Sequence, residues 1–280
     1  MSSVLVTGAA RGIGRAAALR LATLGWEVYA GVRTPADGED LVNAAPQGRV
    51  TPVLLDVTDA AQLAALDGVL GERLDAVINN AGIGVSSPVE GVRLDELRRQ
   101  LEVNVVGPVA VTQAVLPRLR ASGGRVIFVS SVSGRVSSPL MGPYSASKYA
   151  LEALADSLRI ELRPWGVNVA LIEPGATDTD LWRNAPEMVD AAEAQLSDGL
   201  RALYRAHFVG ARGAVKRIQK QTAPVEKVVE AIEKALTSPR PRARYVVGTD
   251  ARIQLAMQGV LPTSAMDAAV AKLTGTPGSL

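Results

Sequence analysis

Tyr144 and Lys148 stand four residues apart in Tyr144-Ser145-Ala146-Ser147-Lys148, and Ser131 precedes the tyrosine by thirteen. On a helix, positions i and i+4 project from one face. A free tyrosine ionises near pH 10 (an approximate reference value), too high for acid–base work at neutral pH, so it needs help. A lysine ammonium one turn away favours the phenolate. A serine hydroxyl can hold a carbonyl oxygen while the phenol passes it a proton. Together the three groups suit carbonyl reduction or alcohol oxidation, with the hydride drawn from a cofactor.

Composition removes most rival chemistries. The 280 residues include no cysteine and one histidine, His207. That excludes disulfides, thiolate nucleophiles and zinc–cysteine sites, and it argues against a histidine metal site or a Ser-His-Asp triad. With 48% hydrophobic and 21% charged residues the chain reads as a soluble globular protein, long enough for one large α/β domain. A net charge of +2 and a pI near 9.0 are not a one-sided basic face, so no nucleic-acid partner is expected. The strand-like run Ser3-Val4-Leu5-Val6-Thr7 has no basic or apolar leader before it, so no signal peptide is expected. The uncharged stretch 103–117 spans 15 residues with a glycine and two prolines, too short and too broken for a membrane span. A cytoplasmic location is the expectation.

Short apolar runs alternate with longer amphipathic ones. Strands are expected over 4–7, 27–32, 51–55, 76–79, 126–130, 168–172 and 244–247, and helices over 13–24, 60–70, 94–119, 145–162 and 225–236. The strand runs are near-continuously apolar, as in parallel strands covered on both faces. Gly25 follows the first helix where a C-terminal cap belongs. The rhythm predicts a Rossmann-type α/β fold, a doubly wound parallel sheet of about seven strands in a single domain. Residues 1–248 form that catalytic domain, with 176–222 as a strand-free, helical, substrate-covering lid after a strand end. Residues 249–280 form a helical tail with a loose end at 274–280.

The first strand meets the first helix in Thr7-Gly8-Ala9-Ala10-Arg11-Gly12-Ile13-Gly14. Glycines here permit a tight turn and let the backbone approach a pyrophosphate at the helix N-terminus. The spacing Gly-x3-Gly-x-Gly differs from the usual Gly-x-Gly-x-x-Gly. The second strand ends Tyr29-Ala30-Gly31-Val32-Arg33, without the carboxylate that would take a ribose 2′-hydroxyl. Arg33 and Arg11 instead supply two guanidiniums suited to a 2′-phosphate, which predicts NADP(H) in preference to NAD(H), although Asp37 and Asp40 follow closely.

From Val4 to about Gly248 the chain resembles the short-chain dehydrogenase/reductase family in its single-domain branch. Thr7-Gly8-x3-Gly12-Ile13-Gly14 matches that family's cofactor turn, and Asp56-Val57 matches its adenine-contacting pair. Asn79-Asn80-Ala81-Gly82 matches the motif beside the cofactor ribose. Asn104, Ser131, Tyr144 and Lys148 match the Asn-Ser-Tyr-Lys tetrad. Pro174-Gly175-Ala176-Thr177-Asp178-Thr179 matches the segment that receives the nicotinamide, with Thr177 where the family usually has Ile or Val. The stretch 130–181 is most similar to steroid- and retinoid-type hydroxyl dehydrogenases. The resemblance implies Tyr144 as general acid or base, Ser131 on the substrate oxygen, Lys148 on the nicotinamide ribose and Asn104 in a water relay. It also implies a homodimer or homotetramer formed through the helices at 94–119 and 145–162.

Two cues bear on the substrate, a small-molecule carbonyl or alcohol. Six basic residues between 198 and 222 against the single acid Asp198 suit an anionic substrate. Val136, Leu140 and Met141 suit an apolar pocket. Both stand at the level of sequence. The alternative to an enzyme is a regulator that binds NADP on the same fold without turnover.

Overall fold

The computed structural model describes residues 2–278. Seven strands form one sheet: β1 Ser3–Val6, β2 Glu27–Val32, β3 Val50–Leu54, β4 Ala76–Asn79, β5 Arg125–Val129, β6 Asn168–Pro174 and β7 Arg244–Val247. Their order is β3-β2-β1-β4-β5-β6-β7, and every neighbouring pair is parallel. Twelve helices connect and cover them. Those flanking the sheet are α1 Gly12–Thr23, α2 Pro35–Ala44, α3 Ala60–Val69, α4 Leu94–Leu101, α5 Gly107–Ser122 and α6 Gly142–Glu161. Then come α7 Asp180–Arg183, α8 Ala185–Ala194, α9 Asp198–Gln219, α10 Val225–Thr237, α11 Thr249–Val260 and α12 Thr263–Thr274. The doubly wound Rossmann-type sheet read from the sequence is the fold.

Strand alternation divides the core. Val4 and Val6 point into the layer packed by α1 and α10, with Leu21, Ile232 and Leu236. Leu5 points into the layer of α3, α5 and α6, with Val115, Leu119, Phe128 and Leu151. Because both faces are covered, the strands carry apolar residues at most positions rather than at every second one. Gly25, at φ +87°, ends α1 in the left-handed conformation expected of a capping glycine.

Three local features depart from the sequence reading. Residues 35–44, given no element in the sequence reading, form α2, which starts on a Thr34 side-chain cap to the Asp37 N–H and a proline in the first turn. The helix expected over 94–119 is interrupted by a π-turn at Glu102–Val106 and resumes as α5, ending at Gly123 with φ +63°. Three strands, β1, β3 and β5, end one residue before the expected position, at Val6, Leu54 and Val129.

Between β6 and α10 lie α7, α8 and α9, helical as expected. They carry their own small core of Leu140, Val189, Ala192, Leu196 and Phe208. In the tail, α11 packs beside β7 and α12 against α9, where the Arg217 guanidinium donates to the Leu273 carbonyl at 2.9 Å. Residues 279 and 280 of the expected loose end lie outside the described residues. Among the described residues no helix is long and apolar enough to cross a membrane.

Candidate active site

β1 connects outward to β2 while β4 lies on its other side, so the chain reverses direction across the sheet at the β1/β4 boundary. The loops after the two strands diverge there and leave a crevice, the usual ligand position in such sheets. Thr7 ties its walls together: its hydroxyl accepts the N–H groups of Asn80 and Ala81, both at 3.0 Å. The Asn80 side-chain amide donates back to the carbonyls of Thr7 and Gly8 at 3.0 and 3.1 Å. Gly8 and Gly12 take φ of +63° and +55°. A Cβ on Gly14 would overlap the Gly8 carbonyl, so only glycine fits where the first helix meets the turn. Gly12 faces Thr179 across the cleft, where an added Cβ would lie 3.7 Å from the Thr179 methyl. Ile13 packs half-buried on the core.

Ser131, Tyr144 and Lys148 meet at the end of β5. Ser131 caps a short turn at Val132–Gly134, accepting the Ser133 N–H at 3.1 Å. Its hydroxyl faces the Tyr144 phenol, where it favours the phenolate, and approaches the Pro174 carbonyl at 3.5 Å. α6 presents Tyr144 and, one turn on, Lys148, which is 5% exposed. The Lys148 Nζ donates to the Val129 carbonyl at 2.9 Å and lies 5.7 Å from the Tyr144 ring centroid. Burial pushes the Lys148 ammonium down to about 8, against the favourable charge of Glu152. For Tyr144 the net shift runs opposite to the sequence expectation. Burial raises the phenol above its ordinary value, and the Ser131 hydrogen bond opposes that rise.

Asn104 sits buried in the π-turn. Its side chain accepts the Ile83 N–H and donates to the Ile83 carbonyl, both at 2.9 Å, and it donates to the Ser147 hydroxyl at 3.1 Å. Gln100 repeats the pattern one turn earlier, accepting the Val85 N–H at 2.6 Å and donating to the Ile83 carbonyl at 2.9 Å. Ser147 in turn donates to the Tyr144 carbonyl at 2.7 Å. Gln100 and Ser147 thus join the loop after β4 to the helix turn that bears Tyr144. Neither stood out in the sequence, where a glutamine and a serine on helices carry no pattern of their own. The side chain of Asn104 is committed to this network, so a relay to Lys148 falls to its main chain.

After β3, Asp56 accepts the Thr58 N–H and hydroxyl at 2.9 and 2.7 Å. Those hydrogen bonds, and then the charge of Arg33, hold its carboxyl below the usual range. Val57 is buried, with its side chain against Gly107, so only its main chain is left for a ligand. Two of the three acids after β2, Asp37 and Asp40, are occupied. Asp37 accepts the Thr34 hydroxyl at 2.6 Å, and Asp40 pairs with Arg15 at 2.6 Å. Arg33 is exposed, and Arg11 lies 3.8 Å from Asp180 of α7.

The segment Pro174–Thr179 is held from two sides. Ala223 bridges it, accepting the Asp178 N–H at 2.9 Å and donating to the Ala176 carbonyl at 2.8 Å. Asp250, in the first turn of α11, accepts the Ala176 N–H at 2.8 Å. Thr177 is buried and turns its hydroxyl onto the Gly175 carbonyl at 3.2 Å, a hydrogen bond that Ile or Val would not make. Leu181 and Met188 close on Gly84 and the edge of the Tyr144 ring. Leu140, expected to line the pocket, is buried in the lid core instead.

The crevice fits a nicotinamide dinucleotide. A tight left-handed turn opens onto a helix N-terminus, a carboxylate with an adjacent guanidinium stands at one end, and a hydroxyl-rich segment stands at the other. Comparison with known proteins agrees. The short chain dehydrogenase family model matches residues 2–190. Retinol dehydrogenase 5 of Mus musculus is 35% identical over 285 residues, covering 98% of this chain and 89% of the relative. The NADPH-dependent 3-dehydrocapnine reductase of Ornithobacterium rhinotracheale is 35% identical, covering 95% of each chain. The 17-beta-hydroxysteroid dehydrogenase type 6 of Bos taurus is 34% identical, covering 94% of this chain and 86% of the relative. A short chain dehydrogenase from Burkholderia cenocepacia J2315, solved in complex with NADP, superposes with a TM-score of 0.74 at 27% identity, covering 96% of this chain and 97% of that one. The chain belongs to the short-chain dehydrogenase family, close to its retinoid- and steroid-type members, and is an oxidoreductase that uses a nicotinamide cofactor on small-molecule substrates.

Proposed function

We propose that the protein interconverts a carbonyl and a secondary alcohol, with NADP(H) preferred over NAD(H) and Tyr144 as the proton donor or acceptor. The observation that carries this reading is the Ser131–Tyr144–Lys148 cluster at the mouth of the dinucleotide crevice. When bound, the nicotinamide would supply or take the hydride. The chain's residues do the rest. Ser131 orients the substrate oxygen, and Tyr144 delivers a proton to it in reduction or removes one in oxidation. Lys148 stabilises the phenolate and holds the ribose. Asn104 supports proton return through its main-chain carbonyl, with its side chain fixing the π-turn.

The cofactor would lie along Gly8, Gly12, Ile13 and Gly14, with adenine near Asp56 and Val57. The ribose side falls to Asn80, Ala81 and Gly82, and the nicotinamide side to Pro174, Gly175, Thr177 and Thr179. Arg33, with Asp37 and Asp40 engaged elsewhere, is the group for the 2′-phosphate, and Arg11 is the second cation at the turn. NADP and NADPH in the names of the Burkholderia structure and the Ornithobacterium reductase support the same choice.

An apolar substrate is favoured. Leu181 and Met188 approach Gly84, and the Tyr144 ring comes within 4.0 Å of where a Cβ there would lie, which supports residues 176–222 as the substrate cover. Two of the lid arginines are spent on the lid itself: Arg212 pairs with Asp190 and Glu193, and Arg201 with Asp198 and nearby carbonyls. Relatives named for retinol and for a 17-beta-hydroxysteroid point to apolar alcohols as well. Tyr149, Leu154 and Ile160 of α6 are exposed, which supports a homodimer or homotetramer through that helix. The test is NADPH consumption against a panel of ketones, steroids, retinoids, quinones and acyl thioesters. Turnover of an apolar carbonyl that disappears in Tyr144→Phe supports the reading, and equal turnover by that variant overturns it.

A further inference from the structure

Behind the Tyr144–Lys148 pair, α6 continues the same stripe with Glu152 and Asp156, at four-residue intervals. Glu152 is 6% exposed, a costly place for a carboxylate unless it is paired. Its partner comes from the far edge of the sheet. Arg244 of β7 reaches Glu152 at 2.9 Å, Asp156 at 2.7 Å and Glu173 of β6 at 3.0 Å. Glu173 is fully buried, one residue before Pro174, and Arg135 approaches its other oxygen at 3.4 Å. A Cβ on Gly134 would touch the Glu152 Cγ and the Ser130 hydroxyl at 3.0 Å and the Lys148 carbonyl at 3.1 Å, so these groups converge in one tight space.

From this geometry we propose that Glu152, anchored by Arg244, is a positioning residue that keeps Lys148 charged and aimed at the end of β5. This rests on the assignment of Lys148 to the active site and adds the group that sets its ionisation. Buried without a counter-charge, a lysine sheds its proton. Glu152 is that counter-charge from one turn away, and the Val129 carbonyl fixes the direction. Of the other charged or titratable groups nearby, Tyr144 lies on the same helix face and is neutral near pH 7. Asp156, Arg244, Glu173 and Arg135 neutralise one another around Glu152. The fork of Arg244 divides its charge between Glu152 and Glu173, so Glu173 enters only through that sharing.

The test uses the full chain labelled at its lysine side chains, of which there are six. The Lys148 titration is followed by NMR and assigned by its loss in Lys148→Arg. In Glu152→Gln the Lys148 midpoint should fall by about one pH unit, the size expected for losing an opposite charge at this range. Glu152→Asp, which keeps the charge on a shorter stem, should restore at least half of that fall. Asp156→Asn should leave the midpoint within roughly 0.3 unit, because that carboxylate lies a further turn away. If Glu152→Gln does not accumulate in folded form, Glu152→Asp carries the test alone, with a smaller fall in the same direction. An unchanged Lys148 midpoint in the folded Glu152 variants overturns the proposal. Because the titration is read on the free protein, that failure is distinct from absence of NADPH turnover, which would instead overturn the assigned reaction.

Discussion

The carboxylate of Asp250 accepts the Ala176 N–H at 2.8 Å across 74 residues of sequence. The first turn of α11 thereby pins the segment that faces the glycine turn, and the C-terminal tail becomes part of the cofactor cleft. The segment also receives the Ala223 bridge, so its main chain is held at two points before any ligand arrives. Preorganisation of this kind lowers the cost of ordering a loop on binding.

Asp250→Ala should weaken NADPH binding about tenfold, since a charge-assisted hydrogen bond contributes roughly 1.5–3 kcal/mol. The change should appear in Kd and KM, with kcat reduced less than threefold. Asp250→Asn, which keeps an acceptor, should recover most of the loss. Cofactor fluorescence titration measures it, and an unaltered Kd in Asp250→Ala would show that Ala223 alone holds the segment.

Tyr144→Phe removes the hydroxyl proposed to carry the proton and leaves the ring in place. Turnover should drop by roughly 10²–10⁴-fold, the usual scale of a positioned acid–base group. NADPH affinity should stay within about twofold, because Tyr144, which also stands among the proposed cofactor-binding residues, keeps its ring there. Parallel steady-state and binding measurements separate the two effects.

Arg33→Ala bears on cofactor choice. Loss of one guanidinium–phosphate contact should cost NADPH roughly tenfold or more in affinity while NADH changes little. A comparable loss for both cofactors would mean that Arg33 serves Asp56 and the strand end instead.

Glu173 makes stability depend on pH in a defined direction. Burial, then the like charge of Glu152, raises its carboxyl from 4.5 to about 7. Between those values the folded protein holds a proton that the unfolded chain has released, so stability falls as pH rises through the window. Glu173→Gln abolishes that component. Relative to the wild type, the variant should gain roughly 2–3 kcal/mol between pH 5 and pH 8, read from urea unfolding. A pH-independent difference would show that the Arg135 and Arg244 contacts keep the carboxylate ionised throughout.

Much of this molecule was legible in one dimension. Apolar runs of strand length separated by helical periods dictate a parallel sheet, because only such a sheet buries strands on both faces. Tyr144 and Lys148 were paired by helix spacing alone, and the glycines of residues 8–14 marked the turn because Gly8 and Gly14 leave no room for a Cβ and Gly8 and Gly12 take positive φ. The strand order, which sets the crevice at the β1/β4 boundary, was not read from the sequence and is given by the structure. Helix α2 was hidden by its polar composition, although Thr34 and Pro35 are a recognisable start. The π-turn was hidden because the residues around Asn104 keep good helical periodicity, and only packing against Ile83 and Ser147 shows where the extra residue lies.

Tertiary structure alone decided which distant side chains share a space. Asp250 on Ala176, Gln100 on Val85 and Arg244 between Glu152 and Glu173 are contacts between elements far apart in the chain, each made by residue types that are common on any surface. Local sequence determines periodicity and turn chemistry, because these depend on neighbours along the backbone. The ionisation of Lys148 and Glu173 and the anchoring of the cofactor segment depend on neighbours through space, which exist only once the seven strands have taken their order.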